Sequence, residues 1–219
     1  MKVNTDGVLL GAMANHVDPL KVLDIGTGTG VIALMMAQRF PGALIDAVEI
    51  DAQAAETALK NFKDSPFEKR IQLHSGSFEN YFEDNKEVKY NLIISNPPFY
   101  INSLPSDSSD KALAKHADRS FFNTLLNLCA KHLYVDGLLS VILPMDTAAL
   151  VRTIAIENGL KCQEVITIQS FAHSAPHREL ITFGFEQVVI QNENIIIYEK
   201  PGEYTEQYRM LLRNFLTIF

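Results

Sequence analysis

The sequence predicts an α/β fold in which a seven-stranded, mostly parallel sheet carries helices on both faces. Three observations support this fold class. Short apolar runs alternate with helix-length stretches, which is typical of strand–helix–strand units. A glycine-rich turn at 26–30 joins the first apolar run to the helix after it. Two late apolar runs follow each other without a helix between them, so we expect an antiparallel hairpin at one edge.

Each strand is predicted from a short apolar run that ends at a glycine, a proline or a polar residue. The seven strands are expected at 21–25, 43–50, 71–74, 88–95, 138–143, 165–169 and 179–185. Helices are expected at 31–40, 52–60, 121–133 and 147–158, with a closing amphipathic helix at 203–219. Asp51 is the expected N-cap of the second of these helices. The stretch 96–118 is rich in Ser, Asp and Pro, and it predicts a long loop that acts as a lid.

Composition predicts one cytoplasmic domain. The 219 residues, 47% of them hydrophobic, are enough for one substantial core, so we expect a single domain over 1–219. Met1 leads directly into the first motif, and we expect the natural chain to have a short additional segment upstream. No apolar run approaches the ~20 residues of a membrane span and no signal peptide is visible, so no membrane partner is expected. Cys129 and Cys162 match no metal-ligand spacing, so no metal site is expected.

The formal net charge of -7 argues against non-specific binding of nucleic acid. Such binding depends on lysine and arginine side chains that displace counterions from the phosphates. A local basic patch is compatible with this overall charge. Any nucleic-acid function must therefore be argued from the residues of a site, and it has to account for the acidic balance of the whole chain.

The segment 24–30 (DIGTGTG) predicts a ligand site at the end of the first strand. Its glycines allow a tight turn and let a ligand approach the backbone closely; they are Gly26, Gly28 and Gly30. Glu49 ends the next strand about 20 residues later, where a carboxylate binds the ribose hydroxyls of either NAD or S-adenosylmethionine (SAM). These two features fit both cofactors. Asp24 favours SAM, because class I methyltransferases have an acidic residue there, near the methionine end of the donor.

The tetrapeptide 96–99 (NPPF) follows the fourth apolar run directly and resembles motif IV of amino-group methyltransferases. The amine of adenine and the nitrogen of a side-chain amide are poor nucleophiles because their lone pair is delocalised. The side-chain oxygen of Asn96 and the backbone oxygen of Pro97 can hold the amine hydrogens and aim the lone pair at a sulfonium methyl group. Phe99 can stack on a planar substrate. We therefore predict that Asn96, Pro97 and Phe99 are catalytic and that Asn96 also contacts the cofactor.

Further cofactor contacts are predicted at the start of the chain and after the second and third strands. They are Thr5, Asp6, Gly7, Ile50, Ser77 and Phe78. The first three begin a helix expected over the glycine turn, and a capped helix without a ligand is the alternative. Ser77 stands where many related enzymes have an acidic residue that accepts from the adenine amine. It accepts more weakly, so the backbone of Phe78 or a simple loop are alternatives.

The chain resembles the bacterial tRNA1(Val) (adenine-N6)-methyltransferases along nearly its whole length. The similarity rests on the motifs above and on 1–11 (MKVNTDGVLLG), 46–51 (DAVEID), 93–100 (IISNPPFY) and 176–178 (PHR). It implies a Rossmann-like class I methyltransferase fold and SAM as the methyl donor. It also implies a tRNA partner, methylated at N6 of the adenosine just 3′ of the anticodon. We expect the enzyme to be a monomer.

Substrate contacts are predicted among aromatic and basic residues that follow the NPPF segment or lie in the PHR segment. They are Tyr100, Lys115, His116, Arg119, His177 and Arg178. Solvated surface charge is the alternative for each basic residue, and His116 fits a structural packing role equally well.

Three other functions fit parts of the sequence. A glutamine-N5 methyltransferase of release factors shares an NPPY-type site, and the acidic net charge favours it. Those enzymes usually carry a separate N-terminal helical domain, which the sequence lacks. A non-catalytic SAM-binding protein is disfavoured because both acceptor positions, Asn96 and Pro97, are present. A dehydrogenase is disfavoured because no segment provides a hydride-transfer site.

Overall fold

The computed structural model describes residues 4–98 and 108–217, and of 108–116 it describes the backbone alone. Helices and strands alternate as predicted. In chain order they are α1 (Thr5–Met13), β1 (Lys21–Ile25), α2 (Val31–Arg39), β2 (Leu44–Glu49), α3 (Ala52–Lys63), β3 (Ile71–Ser75), α4 (Phe78–Asp84), β4 (Tyr90–Ser95), α5 (Ser108–His132), β5 (Leu133–Pro144), α6 (Met145–Glu157), β6 (Lys161–Gln169), β7 (Arg178–Gly184), β8 (Gln191–Ile196), β9 (Tyr198–Lys200), β10 (Glu203–Tyr204) and α7 (Glu206–Leu212).

One large sheet has the strand order β3-β2-β1-β4-β5-β7-β6-β8. The strands from β3 to β5 are parallel to their neighbours, and β7 is antiparallel to both β5 and β6. The predicted fold class is confirmed, including the antiparallel pairing of β6 with β7, although this pair does not form the edge of the sheet. The sheet has eight strands rather than seven, because β8 pairs in parallel with the outer side of β6. Four of its six residues are exposed and polar, so no apolar run marks this edge strand in the sequence.

Helix α5 begins at Ser108, well before the predicted start at 121. The second part of the predicted 96–118 loop is therefore helical, and 99–107 lies outside the described residues. The early turns of α5 contain helix-favouring alanine and lysine but no apolar periodicity, which is why the hydrophobic pattern missed them. Within the described ranges, no helix combines the length and the apolar character needed to cross a membrane.

The predicted helix at 203–219 is wrong in extent. Glu203 and Tyr204 form β10, which pairs with β9 in a separate antiparallel hairpin. The helix α7 follows, because the side chain of Thr205 accepts from the backbone N–H of Tyr208 and so caps its first turn.

The core lies on both faces of the large sheet. Successive side chains of β1 point to opposite faces, so Val22 joins a buried cluster with α1, α2 and α7, whereas Leu23 joins one with α4, α5 and α6. Because helices cover both faces, ligands can reach the sheet only at the ends of its strands.

Helix α1 packs closely on α2. A Cβ atom on Gly11 would lie 2.6 Å from the sulfur of Met35, so the absence of a side chain there permits the approach. Arg39 of α2 donates to the carbonyl oxygens of Gly11 and Ala14 at the end of α1, at 2.9 and 2.5 Å. These contacts hold the last turn of α1.

Candidate active site

A cavity of about 750 Å³ opens at the carboxyl edge of the sheet, where β1, β2 and β4 end side by side. Its walls are the first turn of α1, the loop after β1, the junction of β2 with α3, and the turn after β4. The lining residues are Asn4, Asp6, Gly7, Val8, Gly26, Thr27, Thr29, Val31, Ile32, Glu49, Ile50, Asp51, Gln53, Ala54, Thr57, Asn96, Pro97 and Pro98. The structure therefore brings together seven residues that the sequence had placed in the site: Asp6, Gly7, Gly26, Glu49, Ile50, Asn96 and Pro97.

The glycine loop shapes one wall of the cavity. Gly26 and Gly30 have φ angles of 73° and 87°, which glycine adopts without strain. A Cβ atom on Gly26 would meet no atom within 4 Å, so a ligand has open access to the backbone there. Gly30 does not line the cavity. A Cβ on Gly30 would lie 2.3 Å from the ring of Phe62, so this glycine lets α2 start against α3.

Glu49, the last residue of β2, holds the glycine loop through hydrogen bonds. Its Oε2 atom accepts from the backbone N–H of Gly28 at 2.7 Å, and Oε1 accepts from that of Asp51 at 2.8 Å. Each carboxylate oxygen has a further lone-pair position with which it can accept from a ligand hydroxyl. Glu49 thus holds the loop and presents acceptors to the cavity, and Ile50 beside it offers an apolar side chain that is 73% exposed. Gly28 itself is not among the residues that line the cavity.

Asp24 lies beneath the loop and does not line the cavity. It is fully buried, its Oδ2 accepts from the hydroxyl of Thr27 at 2.6 Å, and its Oδ1 has no hydrogen-bond partner among the described residues. Burial raises the pKa of Asp24 to about 7, although the bond from Thr27 acts in the opposite direction. Its direct partner is Thr27, which does line the cavity.

The first turn of α1 forms another wall. The side chain of Asn4 accepts from the backbone N–H of Gly7 at 2.7 Å and is the N-cap, with Thr5 as the first helical residue. Thr5 does not line the cavity. Asp6 does, and its Oδ2 accepts from Nε of Arg178 at 2.8 Å.

The turn after β4 carries the predicted amine acceptors. The hydroxyl of Ser95 donates to the carbonyl of Ile25 at 2.9 Å, which fixes the end of β4 against β1. Asn96 is half-buried and Pro97 is buried, and both line the cavity. A Cβ on Gly7 would lie 3.8 Å from Nδ2 of Asn96, so α1 approaches this amide closely. Both acceptors therefore lie in a constrained turn at the cavity wall.

The charged residues that line the cavity are all carboxylates: Asp6, Glu49 and Asp51. In the part of the chain that the structure describes, no lysine or arginine lines it, although Arg178 pairs with Asp6. The described residues contain no group of three or more histidine, cysteine or acidic side chains placed to hold a metal ion. The lining favours a ligand with positive charge over one with phosphate groups.

Ser77 and Phe78 follow β3 but do not line the cavity. The hydroxyl of Ser77 accepts from the backbone N–H of Asn80 at 3.2 Å and caps α4. The ring of Phe78 packs edge-on against that of Phe121, with centroids 5.8 Å apart. The predicted contact of both residues with a cofactor stays a prediction.

The two described arginines of the predicted substrate contacts lie far apart. Arg119 pairs with Glu157 at the end of α6, whereas Arg178 lies opposite Pro144 where α6 begins. A 13-residue helix separates these positions by about 20 Å. His177 is half-buried, and burial lowers its pKa. Phe99 and Tyr100, and the side chains of Lys115 and His116, lie outside the described residues.

The sequence pattern missed the contribution of α3. Gln53, Ala54 and Thr57 line the cavity from one face of its first turns. The signal was available, because Asp51 does cap this helix, as predicted, by accepting from the N–H of Ala54 at 2.7 Å. A helix that starts directly after a strand end must present its first turns to that edge.

Comparison with known proteins identifies the family. Residues 5–142 match the family model described as the methyltransferase small domain. A tRNA1(Val) (adenine(37)-N6)-methyltransferase of Pedobacter heparinus is 42% identical over 219 residues, covering 100% of this chain and 92% of that protein. A protein of the same name from Bacteroides fragilis is 36% identical over 215 residues, covering 98% and 90%. A crystal structure of a predicted O-methyltransferase from Agrobacterium tumefaciens has a TM-score of 0.72 at 18% identity, covers 95% of this chain and 96% of that one, and supports the fold.

The family model covers more than half of the chain, and the relatives are similar along nearly all of it. The glycine loop, Glu49 and the Asn96–Pro97 turn meet at one cavity, as the motifs predict for a methyltransferase. The chain therefore belongs to the methyltransferase small domain family and, within it, to the tRNA1(Val) (adenine(37)-N6)-methyltransferase family.

Proposed function

We propose that this enzyme transfers the methyl group of SAM to the exocyclic N6 of adenosine 37 in tRNA1(Val), in the cytoplasm. The proposal rests on one observation: Asn96 and Pro97 line the same cavity as the glycine loop and Glu49. A substrate amine held by the first pair would lie beside a cofactor held by the second. The relatives from Pedobacter heparinus and Bacteroides fragilis, named for this reaction, support the choice of nucleotide.

The cavity residues fit SAM. The open space at Gly26 leaves room for a ligand against the backbone, and Glu49 has acceptors for two ribose hydroxyls. The charged residues that line the cavity are carboxylates. They suit the positively charged sulfonium and ammonium groups of SAM, whereas they would repel the pyrophosphate of NAD. The exposed side chain of Ile50 offers an apolar surface for an adenine ring. When bound, SAM would supply an electrophilic methyl group.

The chain's own residues would prepare the nucleophile. Asn96 Oδ1 and the carbonyl oxygen of Pro97 would each accept one hydrogen of the adenine amine, which turns its lone pair towards the methyl group. Pro97 has no N–H to compete for these acceptors, and its ring restricts the backbone. The bond from Ser95 to Ile25 holds the turn from below. Positioning and electrostatic stabilisation would then lower the barrier. On transfer, the bond between the sulfur and the methyl carbon of SAM would break, S-adenosylhomocysteine would leave, and the amine would release one proton to water.

The test is a methyl-transfer assay with tritiated SAM and three acceptors. These are an unmodified tRNA1(Val) transcript, the same transcript with guanosine at position 37, and a purified release factor. We expect labelling of the first alone, and nucleoside digestion should show N6-methyladenosine. Equal labelling of both transcripts would contradict position 37. Labelling of the release factor alone would replace the proposal with glutamine methylation, which the net charge of -7 favours.

A further inference from the structure

We infer that Arg178 is a positioning residue of the cofactor pocket, where its guanidinium holds Asp6 and through it the first turn of α1 against the sheet. The inference rests on the proposed use of SAM and assigns Arg178 a different role from the phosphate contact that the sequence suggested. Asp6 and Gly7 line the cavity, so a shift of this turn would change the shape of the pocket wall.

The ion pair joins two distant parts of the chain. Nε of Arg178 donates to Oδ2 of Asp6 at 2.8 Å, across 172 positions of sequence. The two side chains are only 28% and 18% exposed, so water screens the pair less than a surface pair. Nη1 of Arg178 also donates to the carbonyl of His177 at 2.9 Å, which orients the guanidinium.

The ion pair connects the start of a short helix to a strand inside the sheet. Arg178 begins β7, a strand paired on both sides, opposite Pro144 of β5 and Ile168 of β6. Helix α1 has nine residues, and a helix of that length has little stability of its own. Arg39 holds its last turn, whereas the first turn lies at the cavity. Arg178 therefore ties the first turn of α1, which lines the cavity, to a strand that is paired on both sides.

A role for Arg178 in binding RNA phosphate conflicts with this arrangement. To bind a phosphate, the guanidinium would have to share or leave Asp6. The Asp6 carboxylate would then lose part of its charge compensation in a cavity that Glu49 and Asp51 also line. Burial of such a charge without its partner is unfavourable. The observed geometry thus favours a structural link to the cofactor pocket.

The experiment compares Arg178→Gln, Arg178→Lys, Asp6→Asn and the double variant Asp6→Asn/Arg178→Gln with the wild-type enzyme. Arg152→Gln is the matched control, because Arg152 makes a similar helix-to-strand pair with Glu179, the residue next to Arg178, away from the cavity. Calorimetry measures SAM binding, filter binding measures tRNA affinity at several salt concentrations, and steady-state assays give kcat and both KM values. Thermal unfolding reports stability for each variant.

We expect Arg178→Gln to weaken SAM binding about 10-fold and raise the KM for SAM by a similar factor, with tRNA affinity changed less than about 2-fold. Arg178→Lys should recover part of the loss, since a lysine can reach the same single oxygen. The double variant should be no worse than the poorer single one, because both changes break the same link. Arg152→Gln should lower thermal stability and leave SAM binding unchanged.

A loss of tRNA affinity with a shallower salt dependence and unchanged SAM binding would overturn the inference and make Arg178 an RNA contact. Equal effects of Arg178→Gln and Arg152→Gln on SAM binding would also overturn it, since they would reflect general destabilisation. The measurements on the wild-type enzyme test the proposed function separately. An enzyme that binds SAM but methylates no tRNA would refute the substrate, while the comparison of SAM affinities would still decide the role of Arg178.

Discussion

In the proposed reaction, Glu49 and Asn96 would have different roles. The Glu49 carboxylate is tied to two backbone N–H groups and holds the glycine loop, so its role is organised before any ligand arrives. Asn96 is half-buried and lines the cavity, so its side chain lies within reach of a ligand there. Substitutions at these two positions should therefore affect binding and turnover differently.

Glu49→Ala should weaken SAM binding by roughly 1–3 kcal/mol, because ribose hydroxyls and the N–H groups of Gly28 and Asp51 lose their acceptor. Isothermal calorimetry with SAM and with NAD measures the change. Glu56→Ala, at an exposed position of α3, is the control and should bind SAM normally. If the wild-type enzyme bound NAD more tightly than SAM, the assignment of the cavity would be wrong.

Asn96→Ala should lower kcat by roughly 100-fold or more, since a preorganised acceptor acts mainly as the amine attacks. SAM affinity should change only modestly. The matched control is Asn91→Ala near the start of β4, the strand that precedes Asn96, where Asn91 Oδ1 accepts from the backbone N–H groups of Leu20 and Lys21. That variant should lose stability and keep its turnover. Near-normal kcat in Asn96→Ala would remove this residue from the mechanism.

At the scale of elements, the site depends on how closely its helices approach the strand ends. Gly30 is the clearest case, because it combines a left-handed backbone with contact to the ring of Phe62. The contact brings the last turn of α3, where Phe62 lies, against the start of α2, whose residues Val31 and Ile32 line the cavity. Gly159 has a similar φ of 77°, but a Cβ there would meet no atom within 4 Å. Substitutions at these two glycines therefore separate the cost of backbone strain from the cost of overpacking.

Gly30→Ala should lower the free energy of unfolding by about 2–4 kcal/mol, the sum of left-handed strain and overpacking. Gly159→Ala should cost only the strain, about 1 kcal/mol. Urea denaturation of both variants gives the comparison. Equal losses would show that Phe62 moves aside freely and that packing at Gly30 is unimportant.

A polar network joins β2, β3, β4 and α4 through side chains that do not line the cavity. Asp46 of β2 accepts from the hydroxyl of Tyr90 at 2.8 Å and pairs with Nε2 of His74 at 2.8 Å, and Tyr81 of α4 bonds the same Tyr90 hydroxyl. Burial by itself raises the pKa of Asp46, but the bonds from His74 and Tyr90 outweigh it, so its pKa lies below the ordinary value. The ionised carboxylate therefore stabilises the fold.

Asp46→Asn should lower stability at pH 7 by about 2–3 kcal/mol, and the difference from wild type should shrink in acid. A carboxylate with a lowered pKa in the folded state contributes fully above its unfolded pKa of about 3.9, and the contribution is lost as the pH falls through the folded pKa. Denaturation from pH 7 to pH 2.5 measures this, with the exposed Asp84→Asn as control. A difference independent of pH would contradict the ionic contribution.

For the whole molecule, the acidic net charge and a tRNA substrate have to be reconciled. The described arginines of the predicted contact set are engaged within the protein, Arg119 with Glu157 and Arg178 with Asp6. Few cations therefore remain from that set for phosphate contact. Recognition of a single splayed adenosine by stacking and edge contacts needs few phosphates, which suits a protein of this charge.

The logarithm of the tRNA binding constant should fall with the logarithm of salt concentration with a shallow slope of about -2, as a few single-strand phosphate contacts predict. Filter binding between 50 and 200 mM potassium chloride, on the order of physiological ionic strength, tests this. Lys115→Gln should reduce the slope by about 0.7, one contact, whereas Lys63→Gln on α3 should leave it unchanged. A slope steeper than about -5 would require a large basic surface and contradict this mode of binding.

Much of the fold and half of the site follow from the sequence because they depend on local patterns. Apolar runs set the strands β1 to β7, and the motifs of the site stand directly at strand ends. Since the carboxyl ends of parallel strands meet at one edge, the segments 24–30, 49–50 and 96–97 had to come together. The cavity at these strand ends, and the position of Asn96 and Pro97 on it, were therefore predictable.

Tertiary structure alone decided which polar side chains meet. The pairing of Asp6 with Arg178 joins residues 172 positions apart, and no local pattern encodes it. The same holds for Arg119 and Glu157, and for the polar strand β8, which forms because β6 offers an open edge rather than because its own residues are apolar. Charged side chains look alike in sequence. Only packing determines whether a cation faces a partner inside the protein or remains exposed for a phosphate.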